Sequence, residues 1–181
     1  RDDVKNTIFT QFQFVGGRPI FSFLPIDKVR TAGVEFVVDQ RQVLDSKLDI
    51  QVNGTVLDSE IVEHSLRPSN EGKNFPRLPT FRLGLFGIYH FTPRWQSSVG
   101  VRYSSNQFDD LDNGDTATRV FGAIDEYFFL DAKITYWLPD GGRLSVGMNN
   151  ITNEEAFVHH PWPQRTFLAE FSVDVLNELV R

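Results

Sequence analysis

Cysteine is absent from the chain, and so is any apolar run long enough to cross a membrane as a helix. Without cysteine there is no disulfide framework, no zinc–thiolate centre and no thiol nucleophile. Without about 18 consecutive apolar residues a transmembrane helix is excluded. Crossing by strands is not, because the lipid face of a barrel uses only every second residue. Positive charge is also scarce. A net charge of −6 over 181 residues argues against a nucleic-acid partner, which wants a basic stripe. No Ser/His/Asp arrangement, phosphate-cradling glycine loop or pair of catalytic carboxylates stands out, so an enzymatic reading has no support and no metal or cofactor is assigned. The chain opens on Arg1-Asp2-Asp3 with neither Met nor a signal peptide, as the interior of a longer protein would.

What is abundant is aromatic. The chain holds 17 Phe, and aromatics make up 13% of it. Three alternating stretches carry aromatics eight positions apart: Phe81 and Tyr89, Trp95 and Tyr103, Phe128 and Tyr136. An even offset keeps both members of a pair on one strand face. Eight residues rise about 26 Å along a strand, or about 19 Å across a membrane at about 45° of tilt. That approaches the spacing between the aromatic girdles of an outer-membrane barrel. The residues between them on the same face are apolar or small, such as Leu83, Leu85, Val99, Val101, Leu130 and Ile134. The opposite face carries Arg82, Gln96, Ser98, Arg102, Asp131, Lys133 and Thr135. Lipid on one side and water on the other makes both faces sensible.

Eight strands are predicted, near residues 7–15, 29–42, 47–62, 80–92, 95–105, 121–138, 143–152 and 165–175. Tight turns are expected at Leu44-Asp45-Ser46, Thr92-Pro93-Arg94 and Pro139-Asp140-Gly141-Gly142. Long polar connections are expected over 16–28, 63–79, 106–120 and 153–164. Short and long alternate throughout, as the periplasmic turns and extracellular loops of an outer-membrane barrel do. The fold class is therefore all-β, an antiparallel transmembrane barrel wall.

Four segments resemble the C-terminal part of the barrel of TonB-dependent outer-membrane receptors. They are Val29-Arg30-Thr31-Ala32-Gly33-Val34-Glu35, Leu78-Pro79 ahead of an alternating strand, Leu144 to Asn153, and Pro161 to Phe171. The resemblance implies a barrel of about 22 strands around a globular plug, these being its last eight. It implies a Gram-negative outer-membrane receptor for a scarce nutrient, most often a ferric siderophore, driven by an inner-membrane energy-coupling complex. Residues 1–175 would be partial barrel, with 176–181 as a tail. The partners so implied are membrane lipid, the plug and the remaining strands, the coupling complex and the ligand. The family usually closes on a terminal aromatic, whereas here Phe171 is followed by further residues.

Candidate sites follow from this frame. Glu35, Arg82, Arg102, Asp131, Lys133 and Glu170, with Asp39, are expected to form a polar wall on the lumen side or cross-strand charge pairs that solvate it. His159, His160 and Trp162 in the last long connection are candidate ligand contacts, although adjacent His side chains on an extended chain diverge and Trp162 also suits an interfacial or loop-packing role. The acidic run Asp109, Asp110, Asp112, Asp115 lacks EF-hand spacing and reads as a solvated loop rather than a Ca²⁺ site. Two other readings stand beside the receptor. One is a closed eight-stranded outer-membrane barrel with an anchoring or adhesive role. The other is a soluble eight-stranded ligand-binding barrel with its apolar face inward, which leaves the aromatic spacing unexplained.

Overall fold

A computed structural model describes residues 1–139 and 141–173. Eight antiparallel strands form one sheet in simple sequence order: β1 (Asp2–Val15), β2 (Arg18–Gln42), β3 (Leu48–Glu63), β4 (Phe81–Thr92), β5 (Trp95–Ser104), β6 (Tyr127–Trp137), β7 (Arg143–Asn149) and β10 (Thr166–Ser172). Between the last two, β8 (Phe157–Val158) and β9 (His160–Pro161) make a small separate hairpin. The sheet does not close: β1 and β10 are its two ends. Among the described residues no helix is long and apolar enough to cross a membrane, which says nothing of crossing by strands. The boundary expected at 175 and the tail after it lie outside the described residues.

The register shows why alternation in sequence becomes two distinct faces. Residues directly opposite each other share a face. Leu85 pairs with Val101 and Val101 with Leu130, while Gly87, Val99 and Ala132 form the next row. Ile134 faces Val146, which faces Ala169. Val52 faces Val38 on one side and Leu85 on the other. These chains remain at the surface; Val99, Ile134 and Val146 are all exposed, with no protein packed over them. The apolar side chains share one face of the sheet, here the outer face, as the alternation predicts. On this face the ring of Phe36 lies across Gly54, its direct partner, so closely that a Cβ there would sit 2.4 Å from ring carbons.

One predicted connection is wrong. Residues 16–28 are not a long loop: Gly16 and Gly17, at φ 59° and 76°, make a two-residue turn and β2 runs straight on from Arg18. Left-handed conformation at both central residues is what a type I′ hairpin turn requires, and two glycines supply it. Pro19 and Pro25 sit where β2 has passed the end of β3, whose pairing begins at Lys28. Proline is tolerated there because one side of the strand needs no N–H donor. The result is an arm of two strands, β1 with the first half of β2, standing beyond the rest of the sheet.

The other connections fall as the sequence suggests. Residues 43–47, 93–94 and the link from β6 to β7 lie at one end, and 64–80, 105–126 and 150–165 lie with the arm at the other. Residues 121–126, expected to open the sixth strand, belong instead to the second long connection, bridged through Ile124 to Gln107 and Val158. The compact core is at this end. Ile26, Val29, Ile61 and Leu111 are buried together, with Phe9 and Phe75 packed edge to face at 5.6 Å against them. It joins the arm's base to the first two long connections.

Candidate functional site

Three places on this scaffold gather polar or aromatic side chains: the inner face of the sheet, the knit of long connections above it, and the aromatic rows on the outer face.

On the inner face the register puts Glu35 opposite Thr55, Thr55 opposite Arg82, and Arg82 opposite Ser104. Arg102 faces Gly84 and Phe129, Asp131 faces Gly100, Lys133 faces Ser98 and Gly147, and Glu170 faces Ser145. All six expected wall residues therefore share one face. Three of them enter two cross-strand ion pairs, Arg102 Nη2 to Asp131 Oδ2 at 2.9 Å and Arg143 to Glu170. Thr135 and Ser145, in the same row as Glu170, bring their hydroxyls together at 3.0 Å. Glycines at 84, 100 and 147 leave a concavity of about 460 Å³ between Arg102, Lys133 and Leu168. The face is not uniformly polar. Phe86, Ile88 and Phe129 lie on it as well.

Phe129 was not singled out from sequence, and it is the largest fully buried side chain described, at 1% exposure. Its ring stacks on Tyr127 (centroids 4.7 Å, planes 17° apart) and on Trp162 (5.7 Å, 23°). The Arg102 guanidinium lies 5.4 Å from the Phe129 centroid and 5.9 Å from that of Trp162. Trp162 thus packs inward on the wall, the loop-packing alternative for it. The signal was an apolar residue at an even step from Asp131 and Lys133, on the wet face.

Asp131 also ties the wall to the last long connection. Its Oδ1 accepts the Asn150 N–H at 2.8 Å. The buried Asn150 side chain then donates to the carbonyls of Glu154 and Pro163 and accepts the Glu154 N–H. From there the connections are laced together. The buried Asp125 carboxylate accepts the N–H groups of Arg119 and Phe157 at 3.1 and 2.8 Å. The backbones of Ala123 and His159 and of Gly122 and His159 are also bonded. Arg77 pairs with Asp109 at 2.6 Å, and Asn74 and Asn113 bond reciprocally. His159 points toward Asp109, Nε2 at 4.0 Å, while His160 lies beside the Phe121 ring. The two imidazoles diverge, and among the described residues no three His, Asp or Glu side chains converge on a metal site. In the acidic run, Asp112 and Asp115 cap backbone N–H groups of Gly114 and Asp109. Desolvation, then Asp115, Asp112 and Asp109, push the Asp110 carboxyl above its ordinary range.

His64, just past β3, is fully buried. Its backbone N–H donates to Glu71 at 2.9 Å and its Nδ1 lies 3.4 Å from the Asn70 amide. Burial holds its imidazole below the ordinary pKa of 6.5. Nothing in the sequence distinguished it from an exposed loop histidine.

On the outer face, Phe81 and Tyr103 approach at 5.6 Å and Tyr103 is paired with Phe128. These three make a row nearest the long connections. At the other end Trp95 and Tyr136 approach at 4.6 Å, beside Tyr89 and Phe91 at 5.0 Å. The six aromatics picked out by spacing are thus two rows, separated by apolar residues.

Comparison with known proteins matches this geometry. No curated protein matches the chain in sequence. Among solved structures it resembles the siderophore receptor PiuA of Acinetobacter baumannii (TM-score 0.66, 19% identity), covering 92% of this chain and 23% of that one. It resembles the ferric-catecholate import receptor Fiu of E. coli (0.67, 19%) over 92% and 23% respectively. The unliganded ferric citrate transporter FecA is also similar (0.68, 18%), over 81% and 24%. The chain thus spans about a quarter of the length of these structures, and at such identities the likeness is one of fold. The family model described as TonB dependent receptor-like, beta-barrel matches residues 1–151. The chain belongs to the β-barrel family of TonB-dependent receptors.

Proposed function

We propose that this chain is a C-terminal wall segment of an outer-membrane receptor that imports a ferric siderophore, with its apolar face in lipid and its long connections outside the cell. The observation that carries the reading is the outer face: two aromatic rows bounding an apolar band on an open antiparallel sheet, with every long connection at one end. Hydrocarbon is the solvent in which such a face is stable, and interfacial aromatics mark its limits. The six inner-face residues Glu35, Arg82, Arg102, Asp131, Lys133 and Glu170 then line the lumen and meet a plug. The six outer aromatics lie at the two interfaces. His159 and His160 stand at the ligand's entrance. The ferric cargo rests on the family and on neighbours described as a ferric citrate transporter and a ferric-catecholate import receptor.

The closed eight-stranded barrel is disfavoured because β1 and β10 do not pair. A soluble barrel is disfavoured because the apolar band is outermost and uncovered.

The test is uptake. Cells lacking other siderophore receptors but expressing the full-length protein should accumulate radiolabelled iron from at least one ferric siderophore in a panel, and should stop when the energy-coupling complex is deleted. Uptake of none, or uptake indifferent to that deletion, would remove the assignment.

A further inference from the structure

The turn that leaves β3 is folded around one imidazole. His64 is wholly buried, and the buried Asn70 sets its side-chain amide 3.4 Å from the ring Nδ1. Backbone bonds close the same turn. The His64 N–H donates to Glu71, the Arg67 N–H to the His64 carbonyl and the Asn70 N–H to that of Arg67. With the Asn70 nitrogen as donor, Nδ1 accepts and the ring proton sits on Nε2, which is buried without a partner. A neutral ring is the form this turn holds. A second ring proton would set donor against donor at Asn70 and place a charge where one N–H is already unmatched. Turning the amide over mends the first fault and not the second.

Charged groups approach the ring from both elements around it. Asp27 comes from β2, where its carboxylate accepts the Ser65 N–H; Arg67 and Glu71 come from the turn itself. Glu63, the residue before His64, is opposite Lys28 in the ladder. Burial is the largest influence on the imidazole and, with Arg67, disfavours its charged form, while Asp27 and Glu71 favour it. What the turn carries outward is the Arg67 side chain, whose Nη2 donates to the Phe12 carbonyl on β1. The arm is packed at its base by Phe9, Ile26 and Val29. Beyond that base, among the described residues, the Arg67 contact is the hydrogen bond that ties the arm to the connections.

We propose that the turn over residues 64–71 is a proton-operated latch: neutral His64 keeps Arg67 on the arm, and protonated His64 lets the outer part of the arm go. Protonation puts a second cation beside Arg67 as the ring loses its bond from Asn70, so the turn opens and the guanidinium leaves Phe12. The apolar base stays packed, and the ribbon over residues 12–23 is what gains freedom. The latch goes beyond the receptor reading and does not depend on the cargo. In that reading the arm stands in the external medium, so the proton comes from outside the cell.

The test uses the full-length protein in lipid nanodiscs with two nitroxides. One is on Arg18→Cys at the arm's tip. The other is on Lys73→Cys, whose carbonyl accepts the Ile61 N–H and so moves with β3. The distance distribution between them should be narrow at about pH 7.5 and at least about twofold broader at about pH 5. His64→Gln, which hydrogen-bonds but does not titrate, should stay narrow at both. Arg67→Gln should be broad at both. Deuterium exchange at the His64 ring C2–H of the natural protein reports the imidazole's own titration. Its midpoint should lie below 6.5 and agree with that of the broadening to within about one pH unit. If His64→Gln is already broad at about pH 7.5, glutamine has broken the turn and the agreement of the two midpoints decides. Four results overturn the latch: no broadening in the natural protein, broadening with acid that persists in His64→Gln, a narrow Arg67→Gln, or midpoints further apart than that. None of them touches the receptor reading, which iron uptake tests separately.

Discussion

Val101 and Ser98 belong to the same strand and look to opposite sides, Val101 between Leu85 and Leu130, Ser98 between Ile88 and Lys133. If the outer face is in lipid, Val101→Arg should cost about 2–4 kcal/mol of folding stability in a bilayer and Ser98→Arg much less. Reversible unfolding of the full-length receptor in vesicles measures both, and equal penalties would mean the faces are reversed. His64 gives a second test at this scale. Its folded pKa lies below the unfolded value of 6.5, so the unfolded state binds more protons as pH falls. Stability is then fully present above about pH 6.5 and is lost as pH falls toward the folded pKa. Hydrogen exchange in 64–72 should accelerate over that window, and His64→Gln should flatten the response. An unchanged slope in the variant would show that another group titrates.

Strands and their connections are held by different means. The meander rests on ladder bonds and cross-strand pairs, whereas the long connections depend on a few buried polar hubs, chiefly Asp125 and Asn150. Asp125→Ala would leave the N–H groups of Arg119 and Phe157 without their acceptor, at about 1–3 kcal/mol for each one that stays buried. The expected result is faster exchange at 119–125 and 157–159 with the strands unaffected; protection lost throughout the sheet would make Asp125 a folding residue instead. This division explains what could be read beforehand. Period-two alternation identified all eight strands and placed β3, β4, β5, β7 and β10 closely, though not the starts of β1, β2 and β6, together with both faces and both aromatic rows, because burial on one side forces a side-chain pattern. The arm was missed because Gly16-Gly17 and two prolines resemble a loop, and only the shortness of β3 makes Pro25 harmless in a strand. The Arg102–Trp162–Phe129 cluster was missed as a unit because it joins three elements distant in sequence, and no local period encodes such a meeting.

At the scale of the whole sheet, two edges carry unpaired backbone, one side of β1 and one side of β10. Hydrocarbon cannot satisfy those groups, at several kcal/mol apiece. The 181-residue chain expressed alone should therefore fail to form a compact monomer in detergent and should associate through its edges. Light scattering after refolding tests this, and a stable, protease-resistant monomer would revive the closed small barrel. The arm has a practical meaning of its own. Its 14-residue strand β1 runs about 45 Å, and its base is fastened by Phe9, Ile26 and Val29 while its tip is not. Nothing lies within 4 Å of where a side chain at Gly16 or Gly17 would begin. If the long connections face outside the cell, a short epitope spliced between these two glycines should be readable by antibody on intact cells, carried like a pennant on a mast with the wall beneath it undisturbed.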